Sequence, residues 1–278
     1  MNEFKLFDNE PYRFDVDKNG FPCFTPKNIK LVTAVINFDS TYRVAFDESN
    51  PLSSANFLKN RFPKNKVDLE KAIRLIDKEN STHLIVSGNE KKKDDKDNTN
   101  KQGIIITVNS MMNEGLEDLG NRIKEGKKEI VTEIADYVTG RFNISFASKF
   151  CAYCNRYCFG KDDYSIYDSV LASILPYYAY VYLGEEHWKS IRGKNARKES
   201  NIANEFADKN GNKDYAGYND LIGRIIDKVK SVPDFYSDLT RKDFDLLLWY
   251  YFKGDVTRII EANRCLGDPT KILLLENK

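Results

Sequence analysis

From about residue 111 onward the apolar side chains recur at the three- and four-residue spacing of helices, and this run constrains the fold most strongly. Leu116, Leu119, Ile123, Ile130, Ile134, Tyr137 and Val138 mark one face of a long helix whose other face is charged. Gly140 stands where a C-terminal cap belongs. A second helix is expected over ISFASKFCAYC, followed by a polar connection, RYCFGKDDYSIY. Asp168 then occupies an N-cap position ahead of the apolar run SVLASILPYYAYVYLG, in which Pro176 is expected to kink the helix or mark its early part. GYNDLIGRIIDKVKSV and RKDFDLLLWYYFKGDVTRIIEANRCL extend the helical pattern, so residues 111–278 read as a helical domain.

Residues 1–110 have a different texture and read as an α/β region. NIKLVTAVINF (28–38), YRVAF (42–46), THLIVSG (82–88) and GIIITVN (103–109) are rich in β-branched residues and are expected as strands. VDLEKAIRLIDKEN (67–80) carries Ile73, Leu75 and Ile76 near helical spacing and is expected as a short helix. Between the last two strands, residues 89–102 are charged and free of apolar side chains, which predicts a mobile, solvated loop. The expected class is α+β, mainly α, with a small β-containing region ahead of the helical domain.

Composition narrows the function classes. With 43 basic and 42 acidic residues the net charge is +1, so any nucleic-acid surface must come from local clustering. No apolar run approaches the ~20 residues of a membrane helix, and the first residues lack a signal-peptide pattern. A soluble, cytoplasmic monomer is the expectation. Cys23, Cys151, Cys154, Cys158 and Cys265 read as thiols. Cys151, Cys154 and Cys158 lie in CAYCNRYC, but no second CxxC or HxxxH completes a zinc set, so no metal is expected.

Helix, tight connection, second helix with Lys149, loop, and Asp168 opening another helix make up residues 140–178. In such an arrangement the turn and the next helix N-terminus can hold a DNA phosphate through backbone amides. Asn143, Ser145, Ala147 and Ser148 are the candidates for that contact. SFASKFC followed, nineteen residues after its lysine, by the aspartate of IYDSVL resembles the helix-hairpin-helix DNA glycosylase superfamily, most closely its 8-oxoguanine-glycosylase-like branch. The resemblance implies that Lys149 attacks the anomeric carbon of an extruded nucleotide and forms a Schiff base. It also implies that Asp168 activates the lysine and stabilises positive charge on the sugar. Duplex DNA containing a damaged or modified base is the implied partner, and no cofactor is implied. Where the superfamily's hairpin carries glycines, this chain has Ser145 and Ala147.

The chemistry suits the residues. A lysine with an ordinary pKa of ~10.4 must lose its proton before it attacks. Ile144, Phe146 and Phe150 flank Lys149 and would desolvate it, whereas Asp168 would oppose that shift. KSIRGKNARK, directly after Trp188, gathers Lys189, Arg192 and Lys194 with further bases and no acid, which suits phosphate contacts. Trp188, Trp249 and Phe252 are candidates for a base pocket. Two alternatives stand beside the glycosylase reading. One is a non-catalytic helical module that binds DNA or protein, and the other is an interaction domain built on zinc at the cysteine cluster.

Overall fold

A computed structural model describes residues 4–7, 10–12, 14–38, 50, 52–80, 84, 96–137, 142–185, 214–253, 258–259 and 261–262. These residues are mainly helical, with ten α-helices. In chain order they are α1 (Pro26–Phe38), α2 (Ser54–Leu58), α3 (Lys66–Asn80), α4 (Lys96–Glu114) and α5 (Leu116–Lys124). They continue as α6 (Glu129–Asp136), α7 (Ile144–Tyr153), α8 (Ser169–Leu183), α9 (Tyr215–Lys230) and α10 (Arg241–Phe252). A π-helical turn, Cys154–Cys158, prolongs α7. A short antiparallel ribbon pairs Phe4–Phe7 with Glu10–Tyr12. Among the described residues no helix is long and apolar enough to cross a membrane.

Two of the expected strands are helices. Residues 28–38 lie in α1, because Thr25 Oγ1 accepts from Asn28 N at 3.3 Å and Pro26 supplies a preset first helical residue. Ile29 and Val32 are buried along it, and buried Asn28 ties it down through Nδ2 to Asp15 O and Cys23 O, both at 2.7 Å. Residues 103–109 lie in α4, where Ile104, Thr107, Val108 and Met111 are buried at helical spacing. Gly103 permits a close approach: a Cβ there would stand 2.5 Å from Leu84 O. Part of the expected charged loop, from Lys96 onward, is also helical. The strand expected at 42–46 and most of that at 82–88 fall outside the described residues, as does Gly140.

The single long helix expected up to residue 138 is broken. Gly115 (φ +90°) separates α4 from α5, and Gly126 (φ +74°) separates α5 from α6. Leu119, Ile123, Ile130 and Ile134 are nonetheless all buried, so the apolar spacing marks the inward face correctly although the helix is not continuous.

The chain forms two compact units, neither continuous in sequence and neither bounded at residue 110. The first comprises 1–38, 168–207 and 220–278; the second comprises 39–167 and 208–219. In the first unit α10 packs against α1 and α8 over an aromatic core. Phe24 stacks on Phe244 with centroids 4.9 Å apart, and Tyr178 stacks on Tyr182 at 6.1 Å. Tyr177 and Tyr178 place their hydroxyls on Asp17 Oδ2 (2.5 Å) and Pro22 O (3.0 Å), which satisfies the polar ends of buried rings. Pro176 lies inside α8, which continues past it to Leu183. In the second unit α6 packs on α7, α3 on α4, and the π-helical turn against α2 and α5.

Candidate functional site

Helix α7 starts where Asn143 Oδ1 accepts from Phe146 N at 3.1 Å, while Asn143 N–H donates to Ala135 O of α6 at 3.0 Å. The cap and the bond to Ala135 O tie the start of α7 to α6; an N-cap of this kind contributes about 1 kcal/mol. Every residue of α7 except half-buried Ser145 is buried. The candidate phosphate contacts at Ala147 and Ser148 are therefore both wholly interior. Their small side chains allow close packing inside the unit.

Lys149 is 7% exposed, and its Nζ donates to Asn80 O and to Ser145 Oγ, both at 3.3 Å. Asn80 is the last residue of α3, so the ammonium meets a helix-terminal carbonyl at the negative end of the dipole. Tyr153 OH donates to Asn80 Oδ1 at 3.3 Å, and Asn80 Nδ2 donates to Ile76 O at 2.9 Å. Burial pushes the Tyr153 phenol well above its ordinary range. The adjoining Glu79 accepts from Ser54 N at 2.7 Å and from the Ser54 hydroxyl, and burial pushes its carboxyl up to about 7. Phe146 and Phe150, which flank Lys149 in the sequence, are fully buried with ring centroids 5.9 Å apart.

The connection after the π-helical turn lacks regular structure but is held almost residue by residue. Fully buried Asn155 accepts from Asp163 N at 2.9 Å and donates to Asp163 Oδ2 at 3.0 Å and Ile123 O at 2.9 Å. Fully buried Asn219 accepts from Ser165 N at 2.7 Å and donates to Asp163 O at 3.1 Å. Tyr215 OH donates to Ser165 O at 2.7 Å and Tyr218 OH to Ile166 O at 3.0 Å. Finally Tyr167 N donates to Ser148 Oγ at 2.9 Å, and Ser148 Oγ donates to Ser145 O at 3.2 Å. The residue before Asp168 is thus bonded to the residue before Lys149. Lys149 itself belongs to the second unit and Asp168 to the first.

Asp168 caps α8 as its position predicts: Oδ1 accepts from Val170 N at 2.7 Å, and its carbonyl accepts from Ala172 N at 2.8 Å. The helix dipole favours a negative charge there.

Of the base-pocket candidates, Phe252 is fully buried in the first unit's core, stacked 6.1 Å from Phe21 and edge-on to Tyr178 at 6.5 Å. Trp249 is half-buried, with Lys253 Nζ 3.7 Å from its ring centroid. Sequence reasoning passed over Lys253. The signal was its i,i+4 spacing from Trp249 at a helix end, which sets a cation over the ring. Desolvation lowers the Lys253 pKa from its ordinary value, and the charge of Asp168 opposes that shift. Trp188, Lys189, Arg192 and Lys194 lie outside the described residues. Cys23, Cys151 and Cys154 are buried free thiols and Cys158 is half-buried. Among the described residues no group of three or more His, Cys, Asp or Glu is arranged to hold a metal ion.

Compared with known proteins, the chain matches no family model, no curated protein and no solved structure.

Proposed function

We propose that this chain is a DNA glycosylase of the helix-hairpin-helix type that extrudes a damaged or modified base from duplex DNA and excises it. Lys149 is the nucleophile and Asp168 its electrostatic partner. The hydrogen bond from Tyr167 N to Ser148 Oγ carries this reading. It ties the loop ahead of Asp168 to the helix that bears the amine, and fixing the surroundings of the amine supports this reading. The packing of α6 on α7 and the Asn143 cap of α7 support this reading.

In this mechanism the Lys149 amine, once neutral, forms a bond to the anomeric carbon as the base departs. Asp168 at the N-terminus of α8 faces the positive charge that develops on the sugar. Lys149 collapses the sugar–amine adduct to an imine when the ring opens.

A second reading has its own support. The Lys149 ammonium meets the last carbonyl of α3 and is nearly inaccessible, the arrangement of a structural helix cap. A non-catalytic helical module would use the lysine in that way alone. A base-release screen over duplexes carrying different lesions and natural modifications separates the two. Release of one base supports the enzyme, and silence across the panel supports the module.

A further inference from the structure

The π-helical turn that prolongs α7 begins and ends on cysteines. Cys154 and Cys158 are both free thiols, and both belong to the second unit. Residues four apart are neighbours on a helix face. A π turn is wider than an α turn and climbs less per residue, which places residues four apart within the ~4.4–6.8 Å that a disulfide spans between Cα atoms. Single π turns recur at functional sites. The two thiols are unlike in access. Cys154 is fully buried, whereas Cys158 is half-buried and donates to Arg61 O at 3.4 Å in an exposed bond. With the Cys158 proton so committed, the Cys154 thiol donates to Cys158 Sγ.

We propose that Cys154 and Cys158 are a peroxide-reactive thiol pair, in which Cys158 takes up the oxidising oxygen atom and Cys154 converts it to a disulfide across the turn. The inference does not depend on the glycosylase reading. Access assigns the roles. Cys158 is the member of the pair that a small polar oxidant reaches, and thiol oxidation follows exposure. Burial pushes the Cys154 thiol well above its ordinary range, so it is inert to the oxidant and reacts only with the sulfur beside it. Cys151 stands seven residues from Cys158, about two turns along the axis, which is beyond the ~7 Å limit for a disulfide. The turn encloses Asn155, which accepts from Asp163 N at 2.9 Å, and Arg156, which pairs with Asp162 at 2.7 Å. A disulfide across it therefore fixes the residues that grip the following connection.

The steps balance with hydrogen peroxide as the oxidant. The Cys158 thiol gives its proton to solvent, and the thiolate sulfur attacks one peroxide oxygen. The S–O bond forms, the O–O bond breaks, and the departing hydroxide takes a proton from solvent to become water. Cys158 is then a sulfenic acid. The Cys154 sulfur attacks the Cys158 sulfur, the S–S bond forms, and the S–O bond breaks. The leaving hydroxide takes the Cys154 proton as a second water. Two thiols are oxidised to one disulfide, and one peroxide is reduced to two waters. Because Cys154 holds its proton tightly, the second step is the slower, and the sulfenic acid lasts long enough to be trapped.

Hydrogen peroxide added to the reduced whole chain, with and without dimedone, followed by peptide mapping in a mass spectrometer, tests the assignment. Without dimedone the peptide that holds both cysteines should lose two hydrogen masses and resist alkylation, and dithiothreitol should restore it. With dimedone the adduct should sit on Cys158. Cys154→Ala should lose the crosslink, carry severalfold more dimedone on Cys158 and, without the trap, pass on to sulfinic acid. Cys158→Ser should leave Cys154 unoxidised. Near-ultraviolet circular dichroism checks that each variant is folded, and the wild-type map decides the question by itself where one is not. A wild-type Cys158 that stays reduced, or reaches sulfinic acid with no crosslink, overturns the pair. So does a crosslink from Cys158 to Cys265 or to a second copy of the chain. Dimedone found on Cys154 overturns the assigned roles.

Discussion

Ser148→Ala isolates the hydrogen bond that holds the loop ahead of Asp168 against α7. The Ser148 side chain is fully buried, and Tyr167 is 5% exposed. Removing the hydroxyl takes the acceptor from Tyr167 N, a bond of 2.9 Å, and brings no water in to replace it. A buried donor left unpaired costs about 1–3 kcal/mol. Ser145 O loses only a second, side-chain donor, so nearly all of the cost falls on the loop. The free energy of local opening at Tyr167 should drop by the same amount, and its amide should exchange with solvent about 5- to 150-fold faster. Hydrogen exchange resolved to single amides reads this directly. Val170, whose amide is capped by Asp168, should retain its protection, because that bond lies within α8. Exchange at Tyr167 within twofold of wild type would refute the argument, since the bond would then contribute nothing to holding the loop.

Other expectations follow from single groups. Asp168→Asn should retain the cap, because Asn caps nearly as well as Asp, yet lower the single-turnover rate by about 10²–10³ with DNA affinity largely intact. Glu79 has a folded-state pKa of about 7 against an ordinary 4.5, so the native state holds its proton more tightly than the unfolded chain. The contribution of Glu79 to stability should therefore be fully present below pH 4.5 and fall by at most about 3 kcal/mol as pH rises through about 7, and denaturant titrations of Glu79→Gln should lack that slope. Neutralising Lys189, Arg192 and Lys194 together should reduce the slope of log K against log salt by about 0.9 for each phosphate these side chains neutralise, with lesion preference unchanged.

How much of this was legible in the sequence depended on whether local signals agreed. Helices α3, α7, α8, α9 and α10 were readable because apolar spacing coincided with caps, and Asp168 is the clearest case. Helix α1 was not, because NIKLVTAVINF has the β-branched content of a strand. The decisive signal was the Thr25–Pro26 pair at its start, together with the spacing of Ile29 and Val32. In α4 the run Ile104–Ile106 suggested a strand, while Ile104, Val108 and Met111 already had the helical period. The breaks at Gly115 and Gly126 needed positive φ, a backbone fact that apolar periodicity does not carry. Around the candidate site, Lys149 and Asp168 could be named from pattern alone. The asparagine clamps at 155 and 219 could not, because they act on the loop at 163–165 from distant elements. Nor could pattern show that Lys149 touches Asn80, sixty-nine residues earlier.

The central claim is that the Lys149 amine becomes bonded to DNA, and borohydride trapping tests it most directly. Wild-type protein incubated with a duplex it cleaves, in the presence of borohydride, should give a covalent protein–DNA adduct on a denaturing gel. Peptide mapping should place the adduct on Lys149. Lys149→Gln should bind the same duplex and give none, because an amide nitrogen forms no imine; circular dichroism checks that α3 survives without the ammonium at Asn80 O. An adduct that persists in Lys149→Gln, or base release by the wild type with no trapped species, would contradict the account by removing Lys149 as the nucleophile.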